Sequence, residues 1–198
     1  GKKGGGGGAM CLRPGSHMDA VMALSWNRSY RQAVASGSAD NSVKVWDVTT
    51  QACLHTFSHH DDKVQCVEWH ATEAWMLATG SFDKRVCVVD CRGAGAQSAS
   101  TRITADIEDM VWDPFNSNVL LCSSEDGMVC AMDVRQMGEP LYSFKAHDGS
   151  CSSITFSHLV PSMLATAGYD KTVKIWDTAS APEPKAVAYK SMGVGQLF

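Results

Sequence analysis

Four consecutive residues, His59, His60, Asp61 and Asp62, offer imidazole and carboxylate donors, the ligand types that zinc accepts. Neighbours on an extended chain point in opposite directions, so few of these groups can converge on one ion. His60 reads as a partner in a structural network and the other three as solvated loop residues. Cys87 and Cys91 straddle the end of a strand-like segment, which is poor geometry for zinc, and no Cys-x-x-Cys pair occurs. Carboxylates also stand at Asp113, before Pro114, and at Glu125 and Asp126, yet no serine or cysteine lies in a nucleophile setting such as G-x-S-x-G. Neither the run Gly4 to Gly8 nor Gly93-Ala94-Gly95 has the strand before and the helix after that a phosphate cradle requires. These residues predict a protein with no catalytic site, no metal and no organic cofactor.

The elements that hold them follow a beat. Trp26, Trp69, Trp112 and Phe156 recur at intervals of 43, 43 and 44 residues, and Asp47, Asp90, Asp133 and Asp177 keep the same intervals. A period of this length is the signature of a four-stranded propeller blade. Inner strands are expected at Val21 to Trp26, Val64 to Trp69, Ile107 to Trp112 and Cys151 to Phe156, each alternating with period two. Second strands follow at Ala33 to Ser38, Met76 to Ser81, Val119 to Ser124 and Met163 to Gly168. Each leads into a tight turn on Asp40, Asp83, Asp126 or Asp170, 19 residues after the start of its inner strand. Third strands fall at Val43 to Val48, Val86 to Cys91, Val129 to Val134 and Val173 to Thr178, and less regular outer strands at Ala52 to Phe57, Ser98 to Thr104, Leu141 to Phe144 and Lys185 to Lys190. The fold class is therefore all-β, a single propeller domain of four blades spanning about 17–57, 58–105, 106–145 and 146–190, because stacked blades share one core. Tryptophans at one place per blade predict core packing over base stacking. Trp75 is off the beat and reads as a loop residue available to a partner.

Composition is that of a globular protein, with 44% hydrophobic residues, 19% charged residues and a net charge of -4, which excludes a general electrostatic grip on nucleic acid. RNA contact is confined to a local patch. Cys53, Cys66, Cys87, Cys122, Cys130 and Cys151 fall within strands and read as small buried hydrophobes in a reducing compartment. No apolar stretch is long enough to span a bilayer and no secretory core stands near residue 1, so an intracellular, soluble protein is expected. Residues 1–16 read as a flexible glycine-rich segment; Gly15-Ser16-His17-Met18 resembles a tag scar, although His17 also sits where the repeat wants a histidine.

The stretches "VASGSADNSVKVWD" from Val34 and "LATAGYDKTVKIWD" from Leu164 resemble the WD-repeat family, and the resemblance extends from about residue 17 onward. It implies a hydrogen-bonded tetrad of His, Ser or Thr, turn Asp and third-strand Trp in each blade. By position these are His17, Ser36, Asp40 and Trp46 in the first blade and His147, Thr166, Asp170 and Trp176 in the fourth. The second blade has the partial set His60, Thr79 and Asp83, with Val89 in place of the Trp. The third keeps only Asp126, with Cys122 and Met132 at the other positions and no histidine. These middle blades are expected to rest on apolar packing alone, the third being the loosest. "DAVMALSWNRSYRQAVASGSAD" from Asp19, "HHDDKVQCVEWH" from His59, "VWDP" from Val111 and "EDGMVCAMDVR" from Glu125, with "AHDGSCSSITFSHLVPSMLATAGYDKTVKIWD" from Ala146, are similar to the periodic tryptophan branch of that family, WD-repeat proteins of ribosome assembly.

That resemblance implies a non-enzymatic scaffold for protein and ribonucleoprotein assembly in the nucleus and nucleolus, acting in processing of large-subunit precursor RNA or in transcription of ribosomal genes. The alternative is an adaptor of another complex, such as a chromatin reader that takes a histone tail in the ring's mouth. A partner-binding rim is expected from the basic residues Lys63, Lys84, Arg85 and Lys171, beside acidic loops at Asp61-Asp62 and Asp148, together with Trp75. The family usually closes its ring with about seven blades. Four blades therefore read as part of a ring, with a fifth starting at 193–198, and either further chain or a second copy as a homodimer covers the open faces.

Overall fold

The computed structural model describes residues 15–93 and 98–191, the side chain of Ser98 excepted. The glycine run, Gly95 and the segment 193–198 lie outside the described residues. Among the described residues sixteen strands run in chain order: β1 Val21–Trp26, β2 Ala33–Ser38, β3 Val43–Asp47, β4 Ala52–Phe57, β5 Val64–Trp69, β6 Met76–Ser81, β7 Arg85–Asp90, β8 Ser98–Arg102, β9 Ile107–Trp112, β10 Val119–Ser124, β11 Met128–Asp133, β12 Tyr142–Lys145, β13 Cys151–Phe156, β14 Met163–Gly168, β15 Thr172–Asp177 and β16 Lys185–Ser191. They form four separate four-stranded sheets, each an antiparallel meander in sequence order. The inner strands β1, β5, β9 and β13 pack against one another in succession, so the sheets stack as blades of a partial propeller.

One turn is built the same way four times. In every blade the Asp after the second strand accepts a backbone N–H two residues on: Ser42 to Asp40 at 3.0 Å, Arg85 to Asp83 at 2.9 Å, Met128 to Asp126 at 3.2 Å and Thr172 to Asp170 at 3.0 Å. Such side-chain turns let a two-strand reversal close without a loop. The residue between donor and acceptor lies in the left-handed region in all four, with φ of 65° at Asn41, 68° at Lys84, 77° at Gly127 and 65° at Lys171. Gly127 has a second reason to be glycine, because a Cβ there would overlap the carbonyl oxygens of His147 and Gly149.

The core lies between sheets. Ala35, Val43 and Val45 of the first blade meet Val64, Val67, Trp69 and Leu77 of the second. Cys66, Ala78 and Val88 meet Ile107, Met110, Trp112 and Leu120 of the third, and Leu121, Val129 and Ala131 meet Ile154, Phe156, Leu164 and Trp176 of the fourth. The third blade, expected to be the loosest, has a neighbour on each side, and every residue of β10 is buried. Loss of its tetrad is offset by burial on both faces.

Position in the stack also explains the tryptophans. Trp69, Trp112 and Phe156 are about 5% exposed, whereas Trp26 at the same place in the first blade is 59% exposed because no described blade covers it. At the other end of the stack, β16 is exposed along its whole length. Polar ties bridge each joint. Asn27 Nδ2 donates to the carbonyl of Ala74 and His70 Nε2 to that of Ser117, each at 2.7 Å, while Asp109 accepts from Ser153 Oγ at 2.8 Å and from the Ile154 N–H at 2.9 Å. Buried His70, which also packs edge-on against Trp112, stands directly after the periodic aromatic where the first blade has Asn27, and like Asn27 it accepts N–H groups of its own turn while donating across the joint.

Candidate functional site

The repeated turn and the loop before each inner strand bring four side chains together in the first blade. His17 Nδ1–H donates to Asp40 Oδ2 at 2.9 Å, Ser36 O–H donates to His17 Nε2 at 2.7 Å, and Trp46 Nε1–H donates to Ser36 Oγ at 2.8 Å. The Met18 N–H and the Ser42 hydroxyl add two more donors to Asp40. The fourth blade repeats the relay. His147 Nδ1 donates to Asp170 at 2.9 Å, Thr166 Oγ1 to His147 Nε2 at 2.7 Å and Trp176 Nε1 to Thr166 Oγ1 at 3.0 Å. Each polar atom has a partner of the right sense, which lets an imidazole and a hydroxyl lie buried without a desolvation penalty. Burial opposes ionisation of Asp40 and Asp170. The hydrogen bonds from Ser42, the Met18 N–H and His17 on the first, and from Thr172 and His147 on the second, outweigh it and hold both carboxyls well below the usual range.

The second blade corrects the expectation that it rests on apolar packing. His60 Nδ1 reaches Asp83 Oδ2 at 2.9 Å and His60 Nε2 reaches Thr79 Oγ1 at 2.9 Å. His59 Nε2 approaches the same hydroxyl at 3.0 Å, in the role that the Trp indole has in the complete sets. His59 is thus not a solvated loop residue. Burial, joined by repulsion from His60, pushes its imidazole down to about 4, so the ring is neutral. Burial lowers His60 as well, and it pushes the Cys87 thiol up to about 12. His59, His60 and Cys87 bring a ligand atom each within 4.8 Å of one another. Asp61 takes no place in that cluster; its carboxylate pairs with Arg85 at the surface, and Asp62 binds the Lys63 N–H.

In the third blade Ile103 occupies the histidine position, and the Asp126 carboxylate is nonetheless engaged. Ser124 Oγ donates to it at 2.6 Å and Thr104 Oγ1 at 3.2 Å. Thr104 replaces the backbone N–H that Met18 and Asp61 supply to the turn Asp in the first two blades. Cys122 and Met132 are fully packed in the joint with the second blade. The contribution of Thr104 was invisible to a template that looks for histidine.

The rim divides in two. Lys63 precedes β5, Lys84 and Arg85 follow β6, and Val64 pairs with Ser81, so these residues share one end of the second blade. Lys171 stands at the equivalent turn of the fourth. Lys63 Nζ lies 3.6 Å over the Phe82 ring, and Arg85 bridges Asp61 and Asp83, which ties its charge to the blade. Lys171 is exposed. Trp75 does not belong with them: it adjoins the end where Trp69 pairs with Leu77, on the opposite face. There it is 41% exposed, meets the Tyr30 ring in a tilted contact with centroids 4.4 Å apart, and lines an apolar cleft with Leu54, His55 and Trp69.

Four-stranded blades that each carry the same Asp turn between second and third strands, with buried His–Ser/Thr–Trp relays in two of them, define a WD-repeat β-propeller, and the chain belongs to that family. The family model described as "WD domain, G-beta repeat" matches residues 11–47, 51–90 and 138–177, together more than half of the chain. Most of the third blade lies outside those matches, in keeping with its missing relay. The chain is 40% identical over 182 residues, 92% of its length, to an uncharacterized WD repeat-containing protein of Schizosaccharomyces pombe, of which it spans 35%. It is also 41% identical over 46 residues, 23% of its length, to a protein of Chlamydomonas reinhardtii named a ribosome biogenesis protein WDR12 homolog, spanning 10% of that protein.

Proposed function

We propose that this chain is part of a non-catalytic WD-repeat platform that holds proteins together during ribosome assembly, in the nucleolus, in the manner of periodic tryptophan protein 1. The observation that carries the reading is the rim at one end of the blades, where Lys84, Arg85 and Lys171 stand beside Asp61 and Asp148 on loops fixed by the Asp turns. Alternating charge on a rigid edge suits protein surfaces or ribonucleoproteins better than bare RNA, because it gives orientation and specificity without a net basic field. The segments from Asp19, His59, Val111, Glu125 and Ala146 that resemble the periodic tryptophan branch, and the short similarity to a protein named for ribosome biogenesis, support this process. Further blades of the same polypeptide cover the open faces of the first and fourth blades, a reading supported by the much greater length of the fission yeast relative. Purifying the whole protein from cells and identifying its companions tests the proposal. Ribosome-assembly factors and precursor RNA are expected; histones as the main companions would instead make it a chromatin adaptor.

A further inference from the structure

We propose that the second blade carries a zinc site formed by His59 Nε2, His60 Nε2 and Cys87 Sγ.

One ligand atom from each of the three residues lies within 4.8 Å of the other two, and both imidazoles turn Nε2 toward Thr79 Oγ1. Tetrahedral zinc, with bonds of about 2.0 to 2.3 Å, needs its ligand atoms roughly 3.3 to 3.6 Å apart, so a contraction of the order of 1 Å closes the set. Two neutral imidazoles and a thiol are a donor set that zinc prefers over calcium or magnesium. Thr79 Oγ1, at 3.0 and 2.9 Å from the two nitrogens, is placed to complete it as a neutral oxygen donor.

The other blades serve as internal controls. Where the second blade has His59, the first and fourth have Ser16 and Ala146; where it has Cys87, they have Lys44 and Lys174. Where they have Trp46 and Trp176, it has Val89. Two positions thus gain a zinc ligand, one of them by losing an ammonium that would repel a cation, and the third loses the indole that fills the space over the hydroxyl. The third blade has Cys130 at the equivalent place but no histidine, so only the second blade combines the changes.

The surroundings suit a bound cation. His60 gives its Nδ1–H to Asp83, which leaves Nε2 unprotonated, its lone pair accepting the Thr79 hydroxyl that zinc would displace, and supplies the carboxylate–histidine pairing that orients metal ligands. The nearby Arg85 charge is met by both Asp61 and Asp83. His59 is only half-buried, which gives zinc a route from the rim. As the zinc–sulfur bond forms, the Cys87 proton leaves to solvent, and the cation supplies the charge compensation that the buried thiolate lacks.

Cobalt(II) alone, titrated into the full reduced chain, tests the site. One equivalent should produce a thiolate-to-cobalt charge-transfer band that zinc displaces. His59→Gln and Cys87→Ser should each abolish it while circular dichroism shows intact sheet, and Cys53→Ser should retain it. Zinc should raise the unfolding midpoint of the parent and not of His59→Gln. Absence of the band, or a band that survives Cys87→Ser, overturns the proposal. If Cys87→Ser does not fold, His59→Gln at its half-buried position decides: a band that persists there overturns it equally.

Discussion

His59 Nε2 lies 3.0 Å from Thr79 Oγ1, at the place on the hydroxyl that Trp46 Nε1 takes on Ser36 in the first blade at 2.8 Å. A loop imidazole has replaced a strand indole without breaking the relay to the turn carboxylate. The relay is thus a set of hydrogen-bonding roles, and the residue types that fill them vary from blade to blade.

The carboxylate at its end sets the energetic scale. Asp40→Ala or Asp170→Ala removes the acceptor of a buried relay and should cost roughly 2 to 4 kcal/mol, since the buried histidine loses its charged acceptor and keeps only the Ser42 or Thr172 hydroxyl beside Nδ1. Asp126→Ala, which leaves two hydroxyls and one N–H but no histidine, should cost about 1 to 2 kcal/mol. Urea unfolding midpoints should rank Asp126→Ala as the mildest of the three.

His59→Phe keeps the bulk and deletes one donor to Thr79, whose hydroxyl retains His60. The expected loss is about 0.5 to 1.5 kcal/mol. Measured in the presence of a chelator, a loss as large as that of Asp170→Ala would show that His59 does more than stand in for the indole.

Acid should act through the same carboxylates. The folded Asp170 is held below its ordinary value of 3.8 by the bonds from Thr172 and His147, despite burial. A depressed carboxyl contributes stability above the unfolded value, and that stability is lost as pH falls from 3.8 toward the folded value. Asp170→Asn should therefore be less stable than the parent at neutral pH and should lose less on going below pH 3.8. Parallel curves would remove Asp170 from the acid response.

Backbone strain at the turns can be read from opposite substitutions. Gly127→Ala places a methyl against two carbonyl oxygens in a left-handed conformation and should cost more than about 3 kcal/mol. Lys171→Gly, at φ of 65° with its side chain exposed, should gain up to about 1 kcal/mol. Equal effects of the two on thermal unfolding would contradict the turn assignment.

The inner and second strands were legible to the residue, because the aromatic beat and the turn Asp fix both ends of that hairpin. The outer strands were less so: one expected at Leu141 to Phe144 runs Tyr142–Lys145, and one expected to reach Thr104 ends at Arg102. These strands lie at the blade edge, where little burial constrains the pattern. Periodicity gives a position in a blade but no neighbour, so the exposure of Trp26 and the tight packing of the third blade could not be read from it. The sequence also placed His59 among Asp61 and Asp62 by adjacency, whereas the chain folds it toward Thr79 and Cys87, which are 20 and 28 residues away.

The platform itself is tested by the rim. In cells carrying the whole protein, companions should be quantified for the parent and for Lys84→Glu combined with Lys171→Glu, surface changes that leave the relays and the core untouched. Ribosome-assembly proteins are expected among the companions of the parent and should be lost from the charge-reversed form at equal abundance and unchanged thermal stability. A companion set that is unaltered by the reversal, or that consists of histones, would contradict it.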